Sequence, residues 1–241
     1  MSRLVIGICA MVIIIGSAGF AGVSSATDSY TVTIENGEID IPDTTEAGFS
    51  VTSVAPIEPG NDISASIDTG ENNTYDLLLY NGNRGIEDRK LGVTGSTTQN
   101  FQTSSLDPGI YSVTVSTDQI ETIQPVVVEG YDTTLSSPSS VTQGDTANIT
   151  MDVTEHASVD APSIKRVEAV VANESFNKTI SATKTADGTY TATMTPTYSP
   201  GEYRVYGVVS SDETIENGEL NIISMTDESS ITITKQTTDE N

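Results

Sequence analysis

The chain has 241 residues, one histidine, one cysteine and no tryptophan, and sets 34 acidic side chains against 10 Lys and Arg, for a net charge of −24. So acidic a chain lacks the basic footprint that nucleic-acid binding requires and is repelled by anionic lipid headgroups. With one histidine, His156, and with Cys9 inside the apolar N-terminal run, the usual zinc and thiol constellations cannot be assembled within one chain.

The first 26 residues stand apart. Arg3 is their only charge, Leu4 to Ile15 is almost wholly apolar, and small residues lead to Ser24-Ser25-Ala26. Basic start, apolar middle and small-residue end is the order of a secretory signal. Residues 1–26 are therefore expected to form an apolar leader helix, as a signal peptide or a signal anchor. Leu4 to Val23 is long enough to span a bilayer if retained. Gly16, Gly19 and Gly22 weaken such a helix, which favours cleavage after Ala26. With Arg3 inside, either outcome exports everything that follows. Membrane contact is then expected only through residues 4–23, and the rest is placed outside the cell or at its surface. The exported part has no cysteine, so its stability must come from sheet packing and not from disulfides.

Beyond the leader, runs of four to eight residues rich in Val, Ile, Thr and Tyr alternate in polarity between Gly, Pro, Asn and Asp. "SYTVTIENGEIDI" predicts a hairpin about Asn36-Gly37. "FSVTSVAPI", "DISASID", "TYDLLLYNGNRG", "TQNFQTSSL", "DPGIYSVTVSTD" and "IQPVVVEG" follow as strands. "TANITMDV", "IKRVEAVVAN" (Ile164 to Asn173), "NKTISATK", "TYTATMTP", "SPGEYRVYGVVSS", "ELNIISM" and "SSITIT" repeat the scheme. Two units result, 27–130 and 131–236, with a polar tail at 237–241. The join near Gly130-Tyr131-Asp132 is too short for a loose linker, so the two units are expected end to end with little hinge freedom.

One motif occurs in both units. Leu106-x-Pro108-Gly109-x-Tyr111 is followed by Val113 and Val115, and Pro200-Gly201-x-Tyr203 by Val205. Pro presets one φ angle and Gly permits an unusual one, so the pair turns the chain into a strand. Tyr then enters the core with its hydroxyl free to return to the preceding corner. These lines resemble the tyrosine corner of immunoglobulin-like and fibronectin-III-like modules. The resemblance implies an all-β fold of two tandem Greek-key sandwiches, with Tyr111 and Tyr203 as structural corners. The cysteine pair and core tryptophan of antibody domains are absent, so the likeness is to the broad class. The acids are spread evenly, 17 on either side of Gly130. This composition, with so few lysines, resembles that of exported cell-surface proteins of salt-loving archaea, and implies adaptation to high salt. The chain is shorter than the layer-forming members of that group and shows no threonine-rich stalk after its last strand, which points to an accessory surface protein.

Little in the chain suggests catalysis. His156 lies in a polar stretch. Ser175-x-x-Lys178 and Ser181-x-x-Lys184 fall in predicted strands without the companion motifs of the hydrolases that use such a pair. No enzyme activity and no cofactor are expected. The cluster Glu35, Glu38 and Asp40 offers at most weak surface calcium binding, since no D-x-D-x-D-G loop occurs. N-x-[ST] acceptors occur at Asn72, Asn148, Asn173 and Asn177. Arg84, Arg89 and Lys90 are the only basic residues of the first unit and are expected to cluster in one loop, "GNRGIEDRK", either neutralising Glu87 and Asp88 or serving as a contact loop for a neighbouring molecule. The function expected is a non-catalytic envelope protein in structural or adhesive contact with other surface proteins or its own copies. The alternative is a carbohydrate-binding accessory module. That module would need an exposed row of rings, whereas Tyr75, Tyr80, Tyr111, Tyr190, Tyr203 and Tyr206 fall in packing patterns. Intact mass of the native, membrane-fractionated protein tests the export reading: loss of the leader and added glycan mass are expected, and the bare mass of residues 1–241 would refute both.

Overall fold

The computed structural model describes residues 30–46, 49–70 and 72–236. The expected leader and the 237–241 tail lie outside the described residues. Every element is a β-strand, and no helix among the described residues is long and apolar enough to cross a membrane.

The first sandwich contains β1 (Thr31–Ile34), β2 (Ile39–Glu46), β3 (Phe49–Ile57), β4 (Ile63–Asp68), β5 (Thr74–Asn81), β6 (Ile86–Thr94), β7 (Thr97–Phe101), β8 (Gly109–Ser116) and β9 (Ile120–Val128). A three-stranded sheet β1-β4-β7 faces a six-stranded sheet β2-β3-β9-β8-β5-β6. The second sandwich contains β10 (Tyr131–Ser136), β11 (Ser140–Thr142), β12 (Ala147–Glu155), β13 (Ile164–Asn173), β14 (Phe176–Ser181), β15 (Thr183–Ala186), β16 (Thr189–Met194), β17 (Gly201–Thr214), β18 (Leu220–Met225) and β19 (Ser229–Thr234). There β10-β12-β16-β15 faces β11-β19-β17-β13-β14, with β18 added alongside β17. Both sandwiches seal the larger sheet with one parallel pair, β3 with β9 and β11 with β19. The prolines obey the ladder. Pro125 sits just before the stretch of β9 that pairs with β3, and Pro56 lies beyond the last residue that β2 bonds, so neither removes a needed donor.

The expected hairpin at Asn36-Gly37 does not form. Gly37 turns the chain with φ 108°, but β1 pairs with β4 in one sheet and β2 with β3 in the other. The turn is claimed by β4: Ser64 N–H donates to Asn36 Oδ1 at 3.0 Å and Glu35 N–H to the Ser64 carbonyl at 2.9 Å. Asn-Gly thus carries the chain between sheets, because four residues of β1 gain more by covering the core on β4 than by pairing with β2.

Each sandwich has its own core, one around Ile63, Tyr75, Leu77, Leu79, Phe101 and Val113, the other around Ile149, Met151, Ala169, Val171, Val205 and Ile231. A third apolar cluster joins them. The first sandwich supplies Ile39, Ile41, Val51 and Val54 from the β2–β3 hairpin and Ile110, Ile123 and Val127 from the outer face of its larger sheet. The second supplies Val170, Ala172, Tyr206 and Val208 from the outer face of its own larger sheet, with Ile215, Ile222 and Met225 from the β17–β18 hairpin. The contact is therefore between sheet faces as well as ends, a difference from the simple end-to-end join expected. It explains why β8 is buried on both sides: Tyr111, Val113 and Val115 point inward, and Ile110, Ser112 and Thr114 are also covered. It also explains the 14 residues of β17 against 8 in β8, since the extra length carries the hairpin across the junction.

The link itself is fixed. Glu129 N–H donates to the Ile57 carbonyl at 2.9 Å, Gly130 N–H to the Ile223 carbonyl at 2.7 Å, and His156 N–H to the Gly130 carbonyl at 3.0 Å. A Cβ on Gly130 would lie 2.9 Å from Ala161 Cβ and 3.0 Å from Pro108 Cβ, so glycine permits this approach. Burying a charge at Ile215, where the hairpin meets Gly82, should uncouple the sandwiches. We expect the native chain to melt in one transition. Ile215→Asp should lose about 3 kcal/mol and split the transition in calorimetry; a single unshifted transition would show that the cluster couples nothing.

Candidate functional site

The Pro-Gly-x-Tyr motif occupies equivalent places in the two sandwiches. Tyr111 Oη donates to the Asp107 carbonyl and Tyr203 Oη to the Ser199 carbonyl, each at 2.7 Å and four residues back. Burial, aggravated by Glu87 and Asp107, holds the Tyr111 phenol far above its usual range. The surroundings differ. At the first corner Ile110 N–H donates to Asn221 Oδ1 of the second sandwich at 3.0 Å. A Cβ on Gly109 would lie 2.7 Å from Asn221 Nδ2, so glycine makes room for that side chain. At the second corner a Cβ on Gly201 would meet nothing nearer than Tyr203 at 3.9 Å. One corner is built into the junction. The other faces an aromatic group, with Tyr198 5.1 Å from Tyr203 and stacked on Phe176 at 4.3 Å. Burial and the Tyr203 neighbour push the Tyr198 phenol up to about 12.

The four acceptor asparagines are scattered. Asn72 and Asn148 are exposed, as is Asn177 on edge strand β14, while Asn173 is half-buried at the β13–β14 turn. Asn148 points outward from β12 and accepts the Thr193 hydroxyl at 2.9 Å. Asn173 Oδ1 accepts Ser175 N–H at 3.1 Å. Asn148 also borders a groove of about 490 Å3, opened where β10 leaves β12 and lined by serines and threonines such as Ser136, Ser140, Thr146 and Thr150, with no ionisable side chain.

Arg84, Arg89 and Lys90 do not share a loop. Arg84 lies in the β5–β6 turn with φ 62° and pairs across the junction with Glu216 at 3.0 Å. Lys90 is on β6, pairs with Asp88 at 2.9 Å and lies 5.2 Å from the Phe101 ring centre, capping the edge of the core. Arg89 points to the other face of β6, opposite Leu78, and makes no ion pair among the described residues. Ile86 shares that face opposite Tyr80, and Leu91 follows at a bulge. Ile86 and Leu91 are the large apolar side chains left exposed among the described residues, at 52% and 60%. Residue pattern alone does not reveal this grouping, because a run of four charges reads as loop.

The acids Glu35, Glu38 and Asp40 are engaged separately. Glu35 takes the Ser64 and Thr98 hydroxyls, Glu38 takes Ile34 N–H and the Ser53 hydroxyl, and Asp40 pairs with Arg204 across the junction at 3.1 Å. Among the described residues no group of three or more His, Cys, Asp or Glu could hold a metal ion. Tyr75, Tyr111, Tyr203 and Tyr206 are buried and Tyr80 and Tyr190 half-buried, so the described tyrosines form no exposed stacking row for a sugar. Ser175 and Ser181 lie in the β13–β14 turn and at the end of β14, on no helix.

No family model matches the chain, and no curated protein matches it. Among solved structures it is similar to the fibronectin(III)-like modules of Clostridium thermocellum CbhA, at 15% identity and TM-score 0.27, over 86% of this chain and 94% of that one. The BSP domain of a biofilm-associated protein matches at 14% identity and TM-score 0.27, over 76% of this chain and 29% of that one. A Salmonella alpha-2-macroglobulin variant matches at 11% identity and TM-score 0.30, over 88% and 15% respectively. Overlaps this loose carry no statement about function; the immunoglobulin-like assignment stands on strand order and corner geometry.

Removing one corner hydroxyl isolates its hydrogen bond. Tyr203→Phe should cost about 1 kcal/mol in equilibrium denaturation at high salt, with Tyr111→Phe at least as costly because its corner also seats Asn221. No loss in either variant would refute a stabilising role for the corners.

Proposed function

We propose that this chain is a non-catalytic, exported surface module that acts as a rigid spacer and contact element in a cell envelope under high salt. The observation that carries the reading is the third apolar cluster, which packs the outer faces of the two larger sheets together and makes two sandwiches one stiff unit. Export rests on the leader, and salt adaptation on the net charge of −24. Such charge self-repels at low ionic strength and is screened within about 3 Å at molar salt. The glycan acceptors Asn72, Asn148 and Asn177 are on exposed positions that an attached sugar requires.

The contact surface we favour is the outer face of β6, where Ile86 and Leu91 gather with Arg89, which makes no ion pair among the described residues, in an acidic protein. The strand edge itself is guarded by bulges and by Lys90 and Asp88 on its core side, devices that oppose casual strand pairing. Recognition would then run through side chains, with Arg89 reaching an acidic surface such as that of a second copy. Sedimentation velocity of the exported portion in molar salt tests this. We expect concentration-dependent association that Arg89→Glu with Leu91→Lys abolishes without lowering the melting temperature. Association unaltered by the double variant would exclude this face, and a strictly monomeric native chain would exclude self-contact.

A further inference from the structure

Glu129 is a buried carboxylate at the seam between the sandwiches, 9% exposed. It follows the last residue of β9 and faces the end of β18. Its Oε1 lies 3.1 Å from Ser224 Oγ and 3.3 Å from Met225 N. Ser224 Oγ has two further oxygen neighbours, the Tyr131 carbonyl at 2.6 Å and Thr133 Oγ1 at 2.9 Å. A serine hydroxyl has one proton to give. The carbonyl can only accept and is nearest, so it takes the Ser224 proton. Thr133 can then donate to Ser224. The contact to Glu129 is satisfied only if Glu129 itself carries a proton and donates it to Ser224 Oγ. Ionised, Glu129 either opposes a lone pair or draws the Ser224 proton away from Tyr131.

We infer that Glu129 is a protonation-controlled latch between the sandwiches: its neutral O–H completes the Ser224–Tyr131–Thr133 cluster, and loss of that proton to solvent loosens β18 from the link at Gly130. The charged surroundings favour the neutral form. Glu58, just past β3, and Asp132, on β10, are the charged groups whose fields reach it, and both are acidic. His156, from the loop after β12, approaches the neighbouring Gly130 through its backbone N–H, and among the described residues no cation pairs with Glu129. Burial raises the carboxyl to about 7 from 4.5, reinforced by these acids and opposed by the Met225 N–H and by the Ser224 hydroxyl when it turns its proton from Tyr131 to the carboxylate. The folded value lies above the unfolded one. The contribution to stability is therefore complete below about pH 4.5 and is lost as pH rises through about 7.

Hydrogen exchange of the Gly130 and Met225 amides, compared at each pH between the native chain and Glu129→Gln, tests the latch, since Gln mimics the neutral acid. At about pH 5 the two should exchange alike, and at about pH 8 the native chain should exchange about ten-fold faster or more. A ratio that does not change with pH, or a variant less protected at both, would overturn the proposal. Should Glu129→Gln not fold, direct carbon NMR titration of the native side chain decides: a midpoint near 7 supports the latch, and one near 4.5 refutes it.

Discussion

A sheet buried on both faces must find a second apolar partner, and in this protein that requirement governs everything beyond the two separate cores. The larger sheet of each sandwich is lined with apolar residues on the side away from its own core. Ile110, Ile123 and Val127 meet Val170, Tyr206 and Val208, with two hairpins closing the sides. Burial of this kind contributes roughly 25 cal/mol per Å2 of apolar surface. It is non-directional, so the orientation of the sandwiches must be fixed by other contacts. Asn221 on Ile110, Gly130 on Ile223 and Arg84 on Glu216 supply that direction.

The division of labour suits so negative a chain. Two of the ion pairs, Arg84–Glu216 and Arg204–Asp40, cross the junction. Partly exposed pairs are each worth at most about 1 kcal/mol and fade with salt. Apolar burial does not fade, and excluded salts strengthen it. Carrying the join on Ile, Val and Met thus keeps it firm under the conditions that silence the surface charges. Glu129 is the exception, a buried carboxyl that salt screens far less than the surface acids.

The fold was legible where period and chemistry agreed. β13 occupies Ile164–Asn173, as its apolar run indicates, and the Pro-Gly-x-Tyr lines lead into β8 and β17. β6 was not legible, because an edge strand with charged side chains carries no apolar period, and β14 and β15 read as the single strand "NKTISATK" because the break at Ala182 leaves no turn signal. Asn36-Gly37 misled because its local preference for a hairpin is real but weaker than the claim of β4 on the turn. The junction left a trace that pattern alone could not interpret. "QPVVV" is too continuously apolar for a strand with one wet face, yet nothing in it says what lies across, while "GIYSVTVS" alternates like a half-wet strand although Ser112 and Thr114 are buried. The basic trio was read as a unit from closeness in sequence. The strand alternation sends Lys90 and Arg89 to opposite faces, and the turn hands Arg84 to the other sandwich. Glu129 had no signature, since its partners Ser224 and Met225 lie some ninety residues away.

The β2–β3 hairpin also sets an order of events. Its apolar residues Ile39, Ile41, Val51 and Val54 lie near the start of the chain, but half of the cluster that covers them comes from Val170 to Met225. While the chain is being made, the first sandwich can close its own core early and still present a bare greasy flank. That flank stays open to water, to chaperones and to other unfinished chains until the β17–β18 hairpin arrives. Contacts this distant in sequence form slowly. The last fifth of the protein therefore acts as an internal cover whose late arrival decides whether the first part remains soluble.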